Sequence, residues 1–242
     1  SINIPDSVMS IGDSAFSGTQ LMEIQDGVEY VGKWVVGSDK DITSAEIKDG
    51  TRGIAYFAFS DNENLLNINL PEGLMYIGYT AFYDCENLTN INIPDSVTEI
   101  GYRTFSGCTN LSSIEIPDSV TSIGDSAFSG CTSLSSIEIP DSVTSIGDSA
   151  FSGCEKLAAI NVSSENNNYA SIDGILFDKD KTELKQYPAG RSETTYTIPD
   201  GVIYISHGAF SGCKNLSDIN IPDSVTSIEY DAFYGCTSLS SI

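Results

Sequence analysis

The sequence predicts a β-rich solenoid, one elongated stack of coils over residues 1–242, and three observations carry that expectation. Pro71, Pro94, Pro117 and Pro140 recur every 23 residues, in step with Phe82, Phe105, Phe128 and Phe151 and with Cys85, Cys108, Cys131 and Cys154. Each repeat alternates apolar and polar residues just before its proline, the pattern of a strand with one buried face. Eight phenylalanines, Phe16, Phe59, Phe82, Phe105, Phe128, Phe151, Phe210 and Phe233, anchor eight coils. Paired as a sheet, such coils lie about 4.8 Å apart and make a stack roughly 40 Å long.

Residues Leu111 to Leu134 serve as the type repeat. Leu111, Ile114 and Ile116 form a strand that Pro117 and Asp118 end, because proline has no amide hydrogen for the ladder. Val120 and Ile123 begin the return. The segment Gly124-Asp125-Ser126-Ala127-Phe128-Ser129-Gly130 has glycine at each end and room for a short helical or 3-10 turn that drops Phe128 inward. A lone repeat does not fold, since burying its few large side chains falls short of the entropy of ordering its backbone. Neighbouring copies supply the missing ladder bonds and cover the open ends of each coil.

Two insertions interrupt the period, near residues 26–45 and 163–198. The first contains Tyr30, Val31, Trp34, Val35 and Val36, expected as a strand pair joined through Gly37-Ser38-Asp39. The second contains Ile175-Leu176-Phe177, a polar turn at Asp178-Lys179-Asp180-Lys181, then Leu184 and Tyr187, which reads as a β-hairpin. Both hairpins are expected to leave the stack, where they either reach a partner or use Trp34 and Tyr187 to seal their own apolar face.

The pattern LxxIxIP followed by VxxIGxxAFxGC resembles the BspA-like class of leucine-rich repeats of bacterial surface proteins, over essentially the whole chain. The resemblance implies a right-handed leucine-rich-repeat solenoid in which the LxxIxI segments line a concave parallel sheet and the VxxI and AFxGC segments lie on the convex side. The second insertion, with Asn168-Tyr169 and Asp173-Gly174, is similar to a longer repeat variant of that family. The resemblance further implies a non-catalytic adhesion or protein-interaction module, secreted or at the cell surface, whose partner is a host or microbial surface protein. It assigns no residue. Because the chain opens within a repeat at Ser1-Ile2-Asn3-Ile4-Pro5 and stops within another at Leu239-Ser240-Ser241-Ile242, it is expected to be a fragment of a longer protein.

Composition narrows the partners. With 34 acidic against 11 basic residues the formal charge is −23, which repels nucleic acid and anionic lipid. No apolar run approaches the roughly 18 residues that a membrane span needs. All six cysteines fall three residues after an anchor phenylalanine, where the other two repeats carry Thr19 and Asn62. Such a column favours buried free thiols over disulfides, because parallel Cβ vectors give poor bridging geometry. Metal binding is not expected, since CxxC pairs are absent and His207 is the single histidine, placed in an exposed slot by its position in the repeat.

Gly12-Asp13-Ser14, Gly124-Asp125-Ser126 and Gly147-Asp148-Ser149 look like the start of a serine-hydrolase block, yet they repeat in one turn and cannot share one histidine. No enzymatic activity and no cofactor are expected. The acidic column Asp6, Asp49, Glu72, Asp95, Asp118, Asp141, Asp200 and Asp223 has two readings: acceptors for backbone N–H groups of their own turns, or a weak divalent-cation stripe.

The LxxIxI row Asn69, Asn92, Glu115, Glu138, Asn161 and Asn220 is flat and holds none of the Trp, Tyr or Arg that dominate interfaces. A richer patch lies three residues before the anchors: Tyr56, Tyr79 and Tyr102, with Arg103 beside them and Tyr76 and Tyr83 nearby. In register these rings form an aromatic stripe, either packing only on one another or offering a binding surface. A structural spacer and a glycan-binding module are the alternatives to the protein-interaction reading.

Overall fold

The structure, a computed structural model, describes residues 2–242. Coils meet one period apart. The strand Ser122–Ile123 pairs in parallel with Glu99–Ile100 on one side and Ser145–Ile146 on the other, with Ile123 opposite both Ile100 and Ile146. On the LxxIxI face, Asn67–Asn69 lies between Ser44–Glu46 and Asn90–Ile91, and Ser136–Ile139 lies beside Ala159–Val162. Phe59, Phe82, Phe105, Phe128 and Phe151 stack in an unbroken column with ring centroids 5.3–5.7 Å apart. The apolar surface that one coil cannot hide is hidden by the next.

The turn after Gly124 differs from expectation, because the described residues contain no helix. Its backbone donors alternate in direction. Ser126, Phe128 and Gly130 donate to Asp148, Ala150 and Ser152 of the next coil at 2.8–2.9 Å, while Ala127, Ser129 and Cys131 donate three residues back within their own coil at 3.1–3.2 Å. A helix would turn every donor along its own axis, leaving none for the neighbour. Left-handed φ values at Ser126 (54°) and Gly130 (74°) produce the alternation.

Each cysteine extends the same scheme: Cys85, Cys108, Cys131 and Cys154 donate from Sγ to the carbonyl of the anchor phenylalanine 26 residues earlier, at 3.1–3.2 Å. All six thiols are free. Burial pushes Cys85 and Cys154 up to about 12 and Cys108 and Cys131 well above the ordinary thiol range.

The acidic column does not take the turn-capping role. Among the described residues none of these carboxylates accepts an N–H from its own turn. Instead Val97, Val120 and Val143 donate to the carbonyls of Pro94, Pro117 and Pro140 at 3.0–3.3 Å. The serine after the aspartate makes the contact between coils: Ser96, Ser119 and Ser142 donate to Leu74, Val97 and Val120 carbonyls at 2.6–2.7 Å.

Each insertion contains an Asp-Gly turn with left-handed residues, Asp26-Gly27 and Asp173-Gly174, which suits a tight antiparallel connection. Val28–Val31 pairs with Glu23–Gln25 and with Trp34–Ser38, the latter through Gly32-Lys33. The expected connection at Gly37-Ser38-Asp39 is therefore misplaced: Gly37 and Ser38 lie inside a strand. Ile175–Asp178 pairs with Tyr169–Ile172 and Glu183–Gln186. Nor do the insertions simply leave the stack, since their last strands rejoin it in parallel, Val35 opposite Ile54 and Leu184 opposite Ile205. Tyr187 then fills an anchor slot, stacked 5.3 Å from Phe210 and 1% exposed. The Phe column thus restarts after the second insertion, and the buried core divides there, Leu176 belonging to one cluster and Phe177 to the next.

The sequences of Leu111–Cys131 and Leu134–Cys154 are identical over 21 residues. Ser136–Ile139 is nonetheless a strand, whereas Ser113–Ile116 is not, and no backbone hydrogen bond joins the latter to either neighbour.

Candidate interaction surface

The slot three residues before each anchor precedes a left-handed residue, which turns its side chain outward. Tyr56 and Tyr79 share that slot one period apart, and their rings stack at 5.1 Å with planes 8° apart. The far side of Tyr79 rests on Gly101, where a Cβ would come within 2.3 Å of the ring. Its hydroxyl donates to Glu99 at 3.3 Å, and the Glu99 charge raises the phenol's pKa. Tyr102 is held differently, with the Arg103 guanidinium 5.1 Å from its centroid. Tyr76 stacks on Trp34 at 5.9 Å under the guanidinium of Arg52. Tyr83 is half-buried beside Asp84, whose charge raises its pKa.

Of the six residues predicted from sequence, the structure therefore brings Tyr56, Tyr76 and Tyr79 together around one cleft of about 140 Å³. Tyr102 and Arg103 sit one coil further along, and Tyr83 faces Asp84. The sequence reading missed Met9, Met75 and Glu99, which also line the cleft. A signal for two of them exists: Met9, Arg52 and Met75 occupy one slot of the VxxI segment, where later coils carry Thr98, Thr121 and Thr144. Met9 is 65% exposed and Met75 38%, an unusual display for an apolar side chain.

The LxxIxI face is not flat. Across Ser113–Ile116 and its neighbours it holds a groove of about 720 Å³ whose walls include Glu115, Asp118, Glu138 and Asp141. His207 is half-buried rather than exposed: Nδ1 lies 3.2 Å from Asp148, Nε2 3.9 Å from Glu229, and the ring stacks on Tyr230. Among the described residues no group of three or more His, Cys, Asp or Glu is placed to hold a metal ion, and no helix is long and apolar enough to cross a membrane.

The model of the BspA type leucine-rich repeat region matches six copies, over residues 1–111, 75–188 and 182–242. The chain belongs to the BspA-type leucine-rich repeat family. Solved structures agree. A leucine-rich repeat protein of Eubacterium ventriosum superposes with a TM-score of 0.72 at 31% identity, covering 81% of this chain and 52% of that one. The chain thus spans about half the length of that protein. The Treponema pallidum (T. pallidum) leucine-rich repeat protein TpLRR gives 0.55 at 27% identity, covering 86% and 82%. The pneumococcal vaccine antigen PcpA gives 0.59 at 22% identity, covering 90% and 74%, a likeness of fold alone. No curated protein matches the chain. Membership of the BspA-type family makes the chain a leucine-rich-repeat interaction frame, of a kind that is generally non-catalytic.

Proposed function

We propose that this BspA-type segment acts as a single non-catalytic adhesion module of a secreted or cell-surface bacterial protein, and that its Tyr56, Tyr76 and Tyr79 face binds a host or microbial surface protein. The observation that carries the reading is the exposed group of Tyr79, Met9 and Met75 around one cleft on a frame of stacked coils. Stacked tyrosine rings are already fixed before a partner arrives, and methionine side chains adapt to its shape. A net charge of −23 disfavours nucleic acid and anionic membrane as partners.

Two features favour protein over glycan. Sugar recognition by stacking needs an open ring face, whereas Tyr79 has Tyr56 on one face and Gly101 against it as well. Tyr76 is likewise covered by Trp34 and Arg52. Tyr76 and Tyr79 thus offer ring edges rather than faces.

Beads coated with the wild type and with a Tyr56→Ala, Tyr76→Ala, Tyr79→Ala variant test the proposal by attachment to epithelial monolayers and to bacterial cells, with a glycan array in parallel. Attachment by the wild type and its loss in a variant that still melts cooperatively supports adhesion through this face. Equal attachment by both proteins rejects the face, no attachment by either favours a spacer, and a tyrosine-dependent sugar signal favours glycan binding.

A further inference from the structure

We propose that the cleft between Met9 and Met75 is a socket for one apolar side chain, phenylalanine, leucine or methionine, offered by a protein segment that carries lysine or arginine beside it. The inference rests on the reading of the tyrosine face as a docking surface and names what docks there.

Size comes first. At about 140 Å³ the cleft is close to the ~150 Å³ cavity that accepts a benzene ring, and well below the ~300 Å³ at which whole small-molecule sites begin. Its walls suit such an anchor. Tyr56, Tyr76 and Tyr79 are fixed by their stacking, while the two thioethers are flexible and polarizable and close around varied shapes. Ile54, Ile77 and Gly78 also line the cleft, and Gly78 cannot carry a side chain because a Cβ would lie 2.6 Å from the Ala55 carbonyl carbon of the preceding coil.

The rim decides the partner's charge. Glu99 accepts from the Tyr79 hydroxyl, and among the described residues it has no ion pair with a lysine or arginine. With a chain charge of −23 around it, this carboxylate favours a cationic flank and repels a second copy of the same chain, while the nearby Arg52 guanidinium is held over the Tyr76 ring. An apolar side chain seated among tyrosines and methionines, with complementary charge at the edge, would have the arrangement of an interface hot spot.

The chain has three methionines, Met9, Met22 and Met75, so two report on the cleft and the third is an internal reference. Protein labelled with ¹³C at the methionine methyls is titrated with three peptides: acetyl-Lys-Lys-Phe-Lys-Lys-amide, the same peptide with alanine at its centre, and acetyl-Glu-Glu-Phe-Glu-Glu-amide. The expected result is saturable movement of the Met9 and Met75 signals by the first peptide, at least tenfold weaker binding of the other two, and a stationary Met22. Glu99→Lys should remove the preference for the basic peptide. Equal response to the phenylalanine and alanine peptides, or no movement of Met9 and Met75, overturns the socket. If the peptides fail while the tyrosine variant still loses cell attachment, the docking face stands and the socket falls. If the peptides bind while attachment is unaffected by the tyrosine variant, the socket stands and the adhesion reading falls.

Discussion

Replacing Cys131 by alanine isolates one rung of the thiol column. The side chain is fully buried, and its Sγ donates to the Phe105 carbonyl at 3.1 Å. That carbonyl also accepts from Cys108 N at 3.1 Å, so the substitution does not orphan it. The loss is then one neutral hydrogen bond, about 0.5–1.5 kcal/mol, plus the void left by the sulfur, about 1 kcal/mol. A deficit of about 2 kcal/mol follows, measured at pH 7 by urea unfolding.

The same residue predicts a pH dependence with a definite sign. Burial raises the folded thiol's pKa, so between the unfolded value near 9 and the higher folded value the folded chain keeps a proton that the unfolded chain has lost. Stability is fully present below that lower limit and is lost as pH rises, at about 1.4 kcal/mol per pH unit for each thiol. Removing Cys131 removes one such contribution, so the deficit of the variant should narrow by about 1.4 kcal/mol at pH 10. A deficit under about 0.5 kcal/mol at pH 7, or one that is the same at pH 7 and pH 10, would refute the role assigned to the column.

Gly124→Ala should cost more than about 1 kcal/mol in the same denaturation assay, because the new Cβ would fall 2.6 Å from the Gly101 carbonyl carbon of the previous coil; a neutral result would mean the coils are spaced more widely than described. Asp118→Asn should leave stability within about 0.5 kcal/mol of wild type, since Asp118 is exposed and caps nothing in its turn. Sodium chloride should raise the thermal midpoint by screening a charge of −23, and calcium at equal ionic strength should do no more; a larger calcium effect would restore the cation stripe.

Much of this fold was legible in the chain because a solenoid converts sequence period into spatial neighbourhood. Phe82, Phe105 and Phe128 are 23 residues apart and end up face to face, and the cysteines follow them as a column for the same reason. Tyr56 and Tyr79 were legible on the same ground. The turn at Gly124–Gly130 was misread because glycine spacing does not tell whether amides point along the chain or across to the next coil. Tyr187 was misread because the insertion hides its register; only its position 23 residues before Phe210 marks it as an anchor. Met9, Tyr56, Met75 and Glu99 come together from four coils and across an insertion, so the cleft required the folded frame.

Sequence alone determined the repeat, the identity of the buried columns and the family, because each is written locally and then copied. Tertiary structure alone decided why Ser136–Ile139 is a strand and the identical Ser113–Ile116 is not. A strand's hydrogen bonds are made with the segments beside it: Ser136–Ile139 is bonded to Ala159–Val162, whereas Ser113–Ile116, with a coil on each side, is bonded to neither.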